Sequence, residues 1–271
     1  MLTDRQLQAL QALFPGNALL PPGDDRLAPY AADEGPTTAA LPAAVVFPTD
    51  ERQVGDLLRY CHGERIPVTP RGTGTGLCGG CVPASGGVVL ALERMNAITA
   101  IDGANFSVVT QPGVVLQNLH QAVEAQGLFY PPDPNSLDSC SIGGNVATAA
   151  GGPRCVKYGI TRQYLQGIRA VLPDGTPLSF GGRYDKISTG YNLAHLLCGS
   201  EGTLAVITEI TLRLIAKPAQ TIDLLVPFAR LADATAMLPD LFVAGFSPAL
   251  IEFMDRASVK AACDYLNETI P

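Results

Sequence analysis

The residue types best suited to chemistry are gathered in one run, Pro70-Arg71-Gly72-Thr73-Gly74-Thr75-Gly76-Leu77-Cys78-Gly79-Gly80, which holds five glycines in eleven positions. A chain lacking Cβ atoms can curl until successive backbone N–H groups point into one concavity, and threonine hydroxyls add further donors. The arrangement is that of a phosphate cradle. Gly74-Thr75-Gly76-Leu77-Cys78-Gly79 also satisfies Gly-x-Gly-x-x-Gly, with Glu93 nineteen residues after Gly74, which superficially matches a Rossmann dinucleotide site. The Rossmann motif opens a helix, whereas Cys81-Val82-Pro83-Ala84-Ser85-Gly86-Gly87 leads into the strand-like Val88-Val89-Leu90-Ala91-Leu92. No Gly-Lys-Ser/Thr follows, so a Walker loop is excluded too. The run is read as a loop between two strands that binds an anion through its amides.

Two later stretches have related character. From Pro131 to Gly152 the chain has neither helical nor strand period, and two Gly-Gly pairs bracket a short Ala-rich helical turn. Small residues over that length permit close approach by a flat, extended ligand; the plain alternative is a tightly packed crossing of the core. Gly199-Ser200-Glu201-Gly202-Thr203-Leu204 then constrains a glutamate between a tight turn and a strand, where it can bond a ligand or simply be solvated.

Cysteine and histidine carry less. The seven cysteines are an odd number without a framework spacing, and Cys78-Gly79-Gly80-Cys81 has no second ligand pair for zinc or an iron–sulfur cluster. No metal site is expected. His62, His120 and His195 lie far apart in helix-like segments and are read as structural.

The elements that must position these stretches are mixed. A first helix over residues 3–14 carries Leu7, Leu10, Leu13 and Phe14 on one stripe, and an irregular arm follows over 15–42, laid across the body. A strand at 44–48, a helix capped by Thr49 or Asp50 and closed at Gly63, and a strand at 66–69 lead into the glycine loop. Strands at 87–92, 97–101 and 106–110, a helix from Val114 to Gly127, a hairpin over 165–180, a short helix at 192–197 and a strand at 205–214 complete the body. The tail reads strand 222–226, helix 231–242, strand 249–253, helix after Asp255: the opening of a second α/β unit, in too few residues to close one.

With 271 residues and 47% hydrophobic content the chain can bury a substantial core. A net charge of −7 excludes a basic nucleic-acid footprint. There is neither a secretory h-region at the N-terminus nor an apolar run long enough for a membrane helix, so a cytoplasmic protein is expected.

The three stretches together resemble one family. The Pro-Arg-Gly-x-Gly-Thr-Gly-Leu-x-Gly-Gly run at 70–80, Ile-Gly-Gly-Asn…Ala-Gly-Gly-Pro…Lys-Tyr-Gly at 142–159 and Gly-Ser-Glu-Gly-Thr-Leu…Ile-Thr at 199–208 resemble the FAD-linked oxidases of the vanillyl-alcohol-oxidase type. The branch most similar is that of the glycolate oxidase FAD subunit and D-lactate dehydrogenase. The resemblance implies an α+β fold: a two-lobed PCMH-type FAD-binding domain over 40–217, preceded by a helix and arm over 1–39 and followed by an incomplete cap domain over 218–271. It further implies that Arg71, Gly72, Thr73, Gly74, Thr75 and Gly76 hold the pyrophosphate. Pro132, Asp133, Ser136, Gly143, Gly144 and Asn145 would line the ribityl and ring region, and Glu201, Gly202 and Ile207 would meet the adenosine or ring portions.

The family's reaction is two-electron oxidation of a 2-hydroxy acid such as glycolate or D-lactate. Reduced flavin then passes electrons to a quinone, an iron–sulfur partner subunit or another acceptor. This chain departs from the pattern at Ala149, where asparagine is common, at Ala205, where glycine is usual, and at Arg154, often histidine in the glycolate branch. The family's histidine-rich catalytic motif has no counterpart here, so no catalytic base is named. Arg154, Lys157 and Tyr158 are the cationic or polar side chains expected near the flavin, and FAD is expected to be dissociable. The alternative is a flavin-binding subunit or interaction module without turnover of its own.

Overall fold

The computed structural model describes residues 2–269. In the first lobe, Thr3 caps helix α1 (Asp4–Leu13) through a reciprocal capping box with Gln6. The arm supplies an edge strand, β1 (Leu19–Leu20), where the sequence suggested only irregular chain. Strand β2 (Ala44–Val46) leads to helix α2 (Glu51–Glu64), capped by Asp50. Arg65, in the left-handed region, closes α2 two residues after Gly63. Strands β3 (Val68–Arg71) and β4 (Val88–Ala91) flank the glycine loop and pair in parallel, in a sheet ordered β1-β2-β4-β3.

Its central parallel strands, β2 and β4, are buried on both faces, as parallel strands generally are; β1 joins antiparallel at the edge. Ala44, Val46, Val88 and Leu90 meet Leu10, Leu57 and Leu58 from α1 and α2. The alternate residues Val45, Phe47, Val89 and Ala91 meet Leu20 and Leu27 from the arm, with Tyr30 packed at the margin. The arm therefore covers the second face of the first lobe's sheet rather than forming a loose extension.

The second lobe comprises β5 (Ile98–Asp102), β6 (Ser107–Thr110), α3 (Leu116–Glu124), β7 (Leu128–Phe129), α4 (Ile142–Thr148), α5 (Cys155–Tyr158), β8 (Leu165–Val171), β9 (Pro177–Gly181), α6 (Leu193–Leu197), β10 (Val206–Arg213) and β11 (Ile215–Ala216). Its main sheet is antiparallel, ordered β5-β6-β10-β8-β9, and β7 pairs with β11 apart from it. Leu116, Leu119, Val123, Ile142, Val146 and Leu197 from α3, α4 and α6 cover one face. The lobes are joined where Val171 and Val206 enter the first lobe's core. Glu51 on α2 reinforces the joint by pairing with Arg169 at 2.5 Å and accepting from Thr208 Oγ1 at 2.7 Å.

The tail differs from expectation. Its helices form as α7 (Leu231–Val243) and α8 (Arg256–Leu266). The stretches 222–226 and 249–253, expected as strands, form no strand. A strand is stable only when a neighbour takes up its N–H and C=O groups, and among the described residues neither stretch has one. No described residue beyond 217 is buried.

Candidate functional site

The glycine loop leaves β3 and returns to β4 along the surface, its residues from Gly72 to Gly80 half-buried or exposed. Among the described residues, none accepts a hydrogen bond from the backbone N–H groups of Thr73 to Cys78. Gly74 has φ +84°, and a Cβ there would collide with the Arg71 guanidinium. Only glycine meets both demands.

Arg71 itself is turned inward. Its Nη1 donates to the Ala32 carbonyl at 2.8 Å, its Nη2 to the Pro29 carbonyl at 3.0 Å, and Cys81 Sγ lies 3.1 Å from Nη1. The side chain is thus a tether between the loop and the arm. Asp33 makes the reciprocal connection by accepting the Gly79 N–H at 2.6 Å, and Glu34 N–H donates to the Gly76 carbonyl at 3.0 Å. Sequence reasoning missed Asp33, because an arm without periodicity gives no sign of which residue it lays on the loop. The Cys81 thiol is pushed up by burial, against the opposing field of Arg71, so its neutral form is favoured.

The three sequence blocks converge. A Cβ on Gly72 would strike Ser141 Oγ and lie 3.8 Å from the Gly144 nitrogen, which places the first block on the start of α4. Gly199 N–H donates to the Val146 carbonyl at 3.0 Å and Glu201 N–H to the Ala147 carbonyl at 2.8 Å, fixing the third block on the far end of that helix. The third block also reaches the first: a Cβ on Gly80 would lie 3.5 Å from Glu201 Oε2, and one on Gly202 would lie 3.2 Å from Pro70. A cavity of about 510 Å³ lies beside this contact, lined by Pro70, Gly80, Glu201 and Gly202 together with His62 of α2 and Pro173 after β8; none of residues 71–79 lines it. Glu201 itself has φ +53° and an exposed side chain. Ile207 stands apart, since its side chain is in the second lobe's core and its backbone pairs with Ala170.

In the middle block, Ser141 caps α4, so Gly143 and Gly144 fall inside the helix's first turn rather than before it. Asn145 is 4% exposed, and its Nδ2 is buried without a hydrogen-bond partner. Asp133 pairs with Arg154 Nε at 3.0 Å and accepts the Arg154 backbone N–H at 3.1 Å. Burial pushes the Asp133 carboxyl up, outweighing the lowering by the Arg154 backbone bond and charge. Pro132 is held from behind by His120, whose Nε2 lies 3.1 Å from the Pro132 carbonyl. Burial depresses the His120 pKa, favouring a neutral ring that donates to this carbonyl. Ser136 serves the turn, its carbonyl accepting from Ser139 and Cys140.

The departures resolve differently. Ala149 is the left-handed C-cap of α4, at φ +50°, a conformation that asparagine tolerates better than alanine. Ala205 is buried in the core with no positive φ. Its extra methyl crowds no turn.

A family model described as "FAD binding domain" matches residues 42–181, just over half of the chain. The protein belongs to that family of FAD-binding flavoproteins. It is 39% identical over 242 residues to the glycolate oxidase subunit GlcD of Bacillus subtilis, covering 89% of this chain and 52% of the relative. It is 43% identical over 231 residues to a D-lactate dehydrogenase of Anaerostipes hadrus, covering 85% and 48%. The chain spans about half the length of the curated relatives it matches.

The fold is that of an alkyldihydroxyacetonephosphate synthase (TM-score 0.78, 24% identity, 92% of this chain and 47% of that one). It is also that of p-cresol methylhydroxylase with substrate bound (TM-score 0.72, 22% identity, 87% and 47%). These likenesses establish the PCMH-type fold. The residues present fit FAD: a row of loop N–H donors without acceptors and a buried Asn145 amide lacking a partner. No helix among the described residues is long and apolar enough to cross a membrane.

Proposed function

We propose that this chain supplies the FAD-binding part of a dehydrogenase or oxidase acting on a small 2-hydroxy acid of the glycolate or D-lactate type. The observation that carries the reading is the convergence of the three blocks around one donor-rich loop, in a chain related to GlcD and D-lactate dehydrogenase. In this reading the backbone of residues 71–76, with Thr73 and Thr75, binds the pyrophosphate. Arg71 acts from behind as the tether that fixes the loop. Pro132, Asp133, Ser136, Gly143, Gly144 and Asn145 line the ribityl and ring region, and the Asn145 amide finds its acceptor there. Glu201 and Gly202 border the adenosine end, where Ile207 contributes through backbone alone. FAD, when bound, accepts the hydrogen and electron pair removed from the hydroxy-acid carbon.

The relatives named as glycolate oxidase subunits support a partner subunit; we propose that it is an iron–sulfur protein or another acceptor that takes the electrons, and that the protein works in the cytoplasm. A second reading, a flavin-holding subunit without turnover, is favoured by the histidines. His120 faces the Pro132 carbonyl and His195 Nε2 lies 3.4 Å from the Leu165 carbonyl, while His62 on α2 lines the cavity beside Pro70.

Purified protein tests the proposal. A yellow preparation that releases FAD on denaturation and is bleached anaerobically by glycolate or D-lactate is expected. Bound FAD that neither acid bleaches would favour the second reading, and a protein that takes up no added FAD would overturn both.

A further inference from the structure

The motif that flavin binding leaves unused is Cys78-Gly79-Gly80-Cys81, at the end of the glycine loop. Both thiols are free. Cys78 is exposed and Cys81 half-buried, whereas Cys61, Cys140 and Cys198 are buried. The chain bends or turns at every residue from Leu77 to Val82, and the Val82 N–H donates to the Gly79 carbonyl at 3.0 Å. A disulfide needs Cα atoms about 4.4–6.8 Å apart, and curled chain with glycine at both intervening positions can tighten to that span. The pair sits among the contacts that hold the loop to the arm. Cys81 Sγ accepts from Arg71 Nη1 at 3.1 Å, the same nitrogen that donates to the Ala32 carbonyl, and the guanidinium stands 5.6 Å from the centre of the Tyr30 ring. Between the cysteines, the Gly79 N–H donates to Asp33 Oδ2 at 2.6 Å. Just before them, the Gly76 carbonyl accepts from Glu34, and Leu77 lies so close to Gly35 that a Cβ there would strike its carbonyl. Joining the two sulfurs draws Cys81 Sγ off Arg71 or drags Cys78 inward past Gly79, and either movement disturbs a tether. Burial favours the neutral Cys81 thiol, so the exposed Cys78 reacts first.

We propose that Cys78 and Cys81 are a reversible thiol–disulfide pair that gates FAD: the dithiol form holds the loop ready for the pyrophosphate, and the disulfide form releases it. This gating rests on the seating of the pyrophosphate on residues 71–76 in the reading above. The oxidant is a low-molecular-weight disulfide. The Cys78 thiolate attacks one of its sulfurs and expels one thiol, leaving a mixed disulfide on Cys78. Cys81 then attacks the Cys78 sulfur and expels the second thiol. The protein loses two hydrogens, and the small disulfide becomes two thiols. By linkage, the factor by which oxidation weakens FAD binding is also the factor by which bound FAD favours the dithiol.

Oxidised glutathione is the probe, and the mass of tryptic peptide 72–94, which contains these two cysteines and no other, reports closure. Apoprotein treated with it should lose two hydrogens from that peptide. It should bind FAD about tenfold or more weakly than apoprotein kept in dithiothreitol. Saturating FAD should raise the midpoint potential of the pair by about 30 mV per tenfold. Cys81→Ser should stop at the mixed disulfide, and Cys78→Ala should bind FAD equally in both conditions. A pair that never closes, a closed pair with unchanged FAD affinity, or an oxidation effect that survives in Cys78→Ala would each overturn the inference while leaving FAD binding intact. Should Cys78→Ala fail to fold, the wild type decides: dithiothreitol must restore peptide mass and FAD affinity together, and recovery of one without the other refutes the gating. Wild-type protein in dithiothreitol that takes up no FAD would instead refute the functional reading itself, and the gating with it, whether or not the pair closes.

Discussion

Gly74 shows how one position can serve two purposes. Its φ of +84° curls the loop, and the space where a Cβ would stand is occupied by the Arg71 guanidinium. Gly74→Val therefore strains the backbone by about 1–2 kcal/mol and pushes Arg71 off the Pro29 and Ala32 carbonyls. FAD affinity measured by titrating apoprotein should fall at least ~100-fold, equivalent to about 2.7 kcal/mol, with a lower Tm. Retained affinity would place the phosphates elsewhere. Ala149 gives the opposite sign. It holds a left-handed φ of +50° at the end of α4, so Ala149→Gly or Ala149→Asn should stabilise by up to about 1 kcal/mol in thermal melts. A lower Tm in both variants would mean that the alanine methyl contributes more by packing than its backbone costs.

The joint between the lobes depends on α2 as much as on the sheets. Burial raises the Glu51 pKa, but hydrogen bonds from Arg169 and Thr208 more than offset this, and the carboxyl ends below its ordinary value. A carboxyl depressed in the folded state contributes stability that is present above its unfolded pKa, near 4.3. That contribution is lost as pH falls through the folded value. Glu51→Gln should thus lower the Tm near neutral pH and approach wild type in acid. A double-mutant cycle with Arg169→Met should give a coupling of about 0.2–1 kcal/mol, because both side chains are partly solvated. Coupling indistinguishable from zero would leave Val171 and Val206 as the joint's principal fastening.

Across the chain as a unit, burial stops before the tail. Ile222, Leu224, Val243 and Tyr265 are 76%, 83%, 88% and 89% exposed, so the tail adds little to the core that shapes the site. A chain ending at Lys217 is expected to keep its FAD affinity and its Tm within about 2 °C, as for a change below 1 kcal/mol. Loss of FAD on truncation would show that the field of Glu252 near Asp133 reflects a functional contact.

The residues of the three blocks, their order, the refusal of a Rossmann helix after Gly79 and most of the body's elements were determined by sequence. Glycine spacing, β-branched runs and caps such as Asp50 act locally, and local physics can be read along the chain. Only the tertiary structure decided that Gly72 rests on Ser141 and Glu201 on Ala147, that Asp33 reaches Gly79, and that the side chain of Arg71 serves the arm. The strands expected in the tail failed for the same reason. Pairing partners, tethers and unpartnered donors such as Arg154 Nη1 are set by contacts between residues far apart in sequence, which no local period encodes.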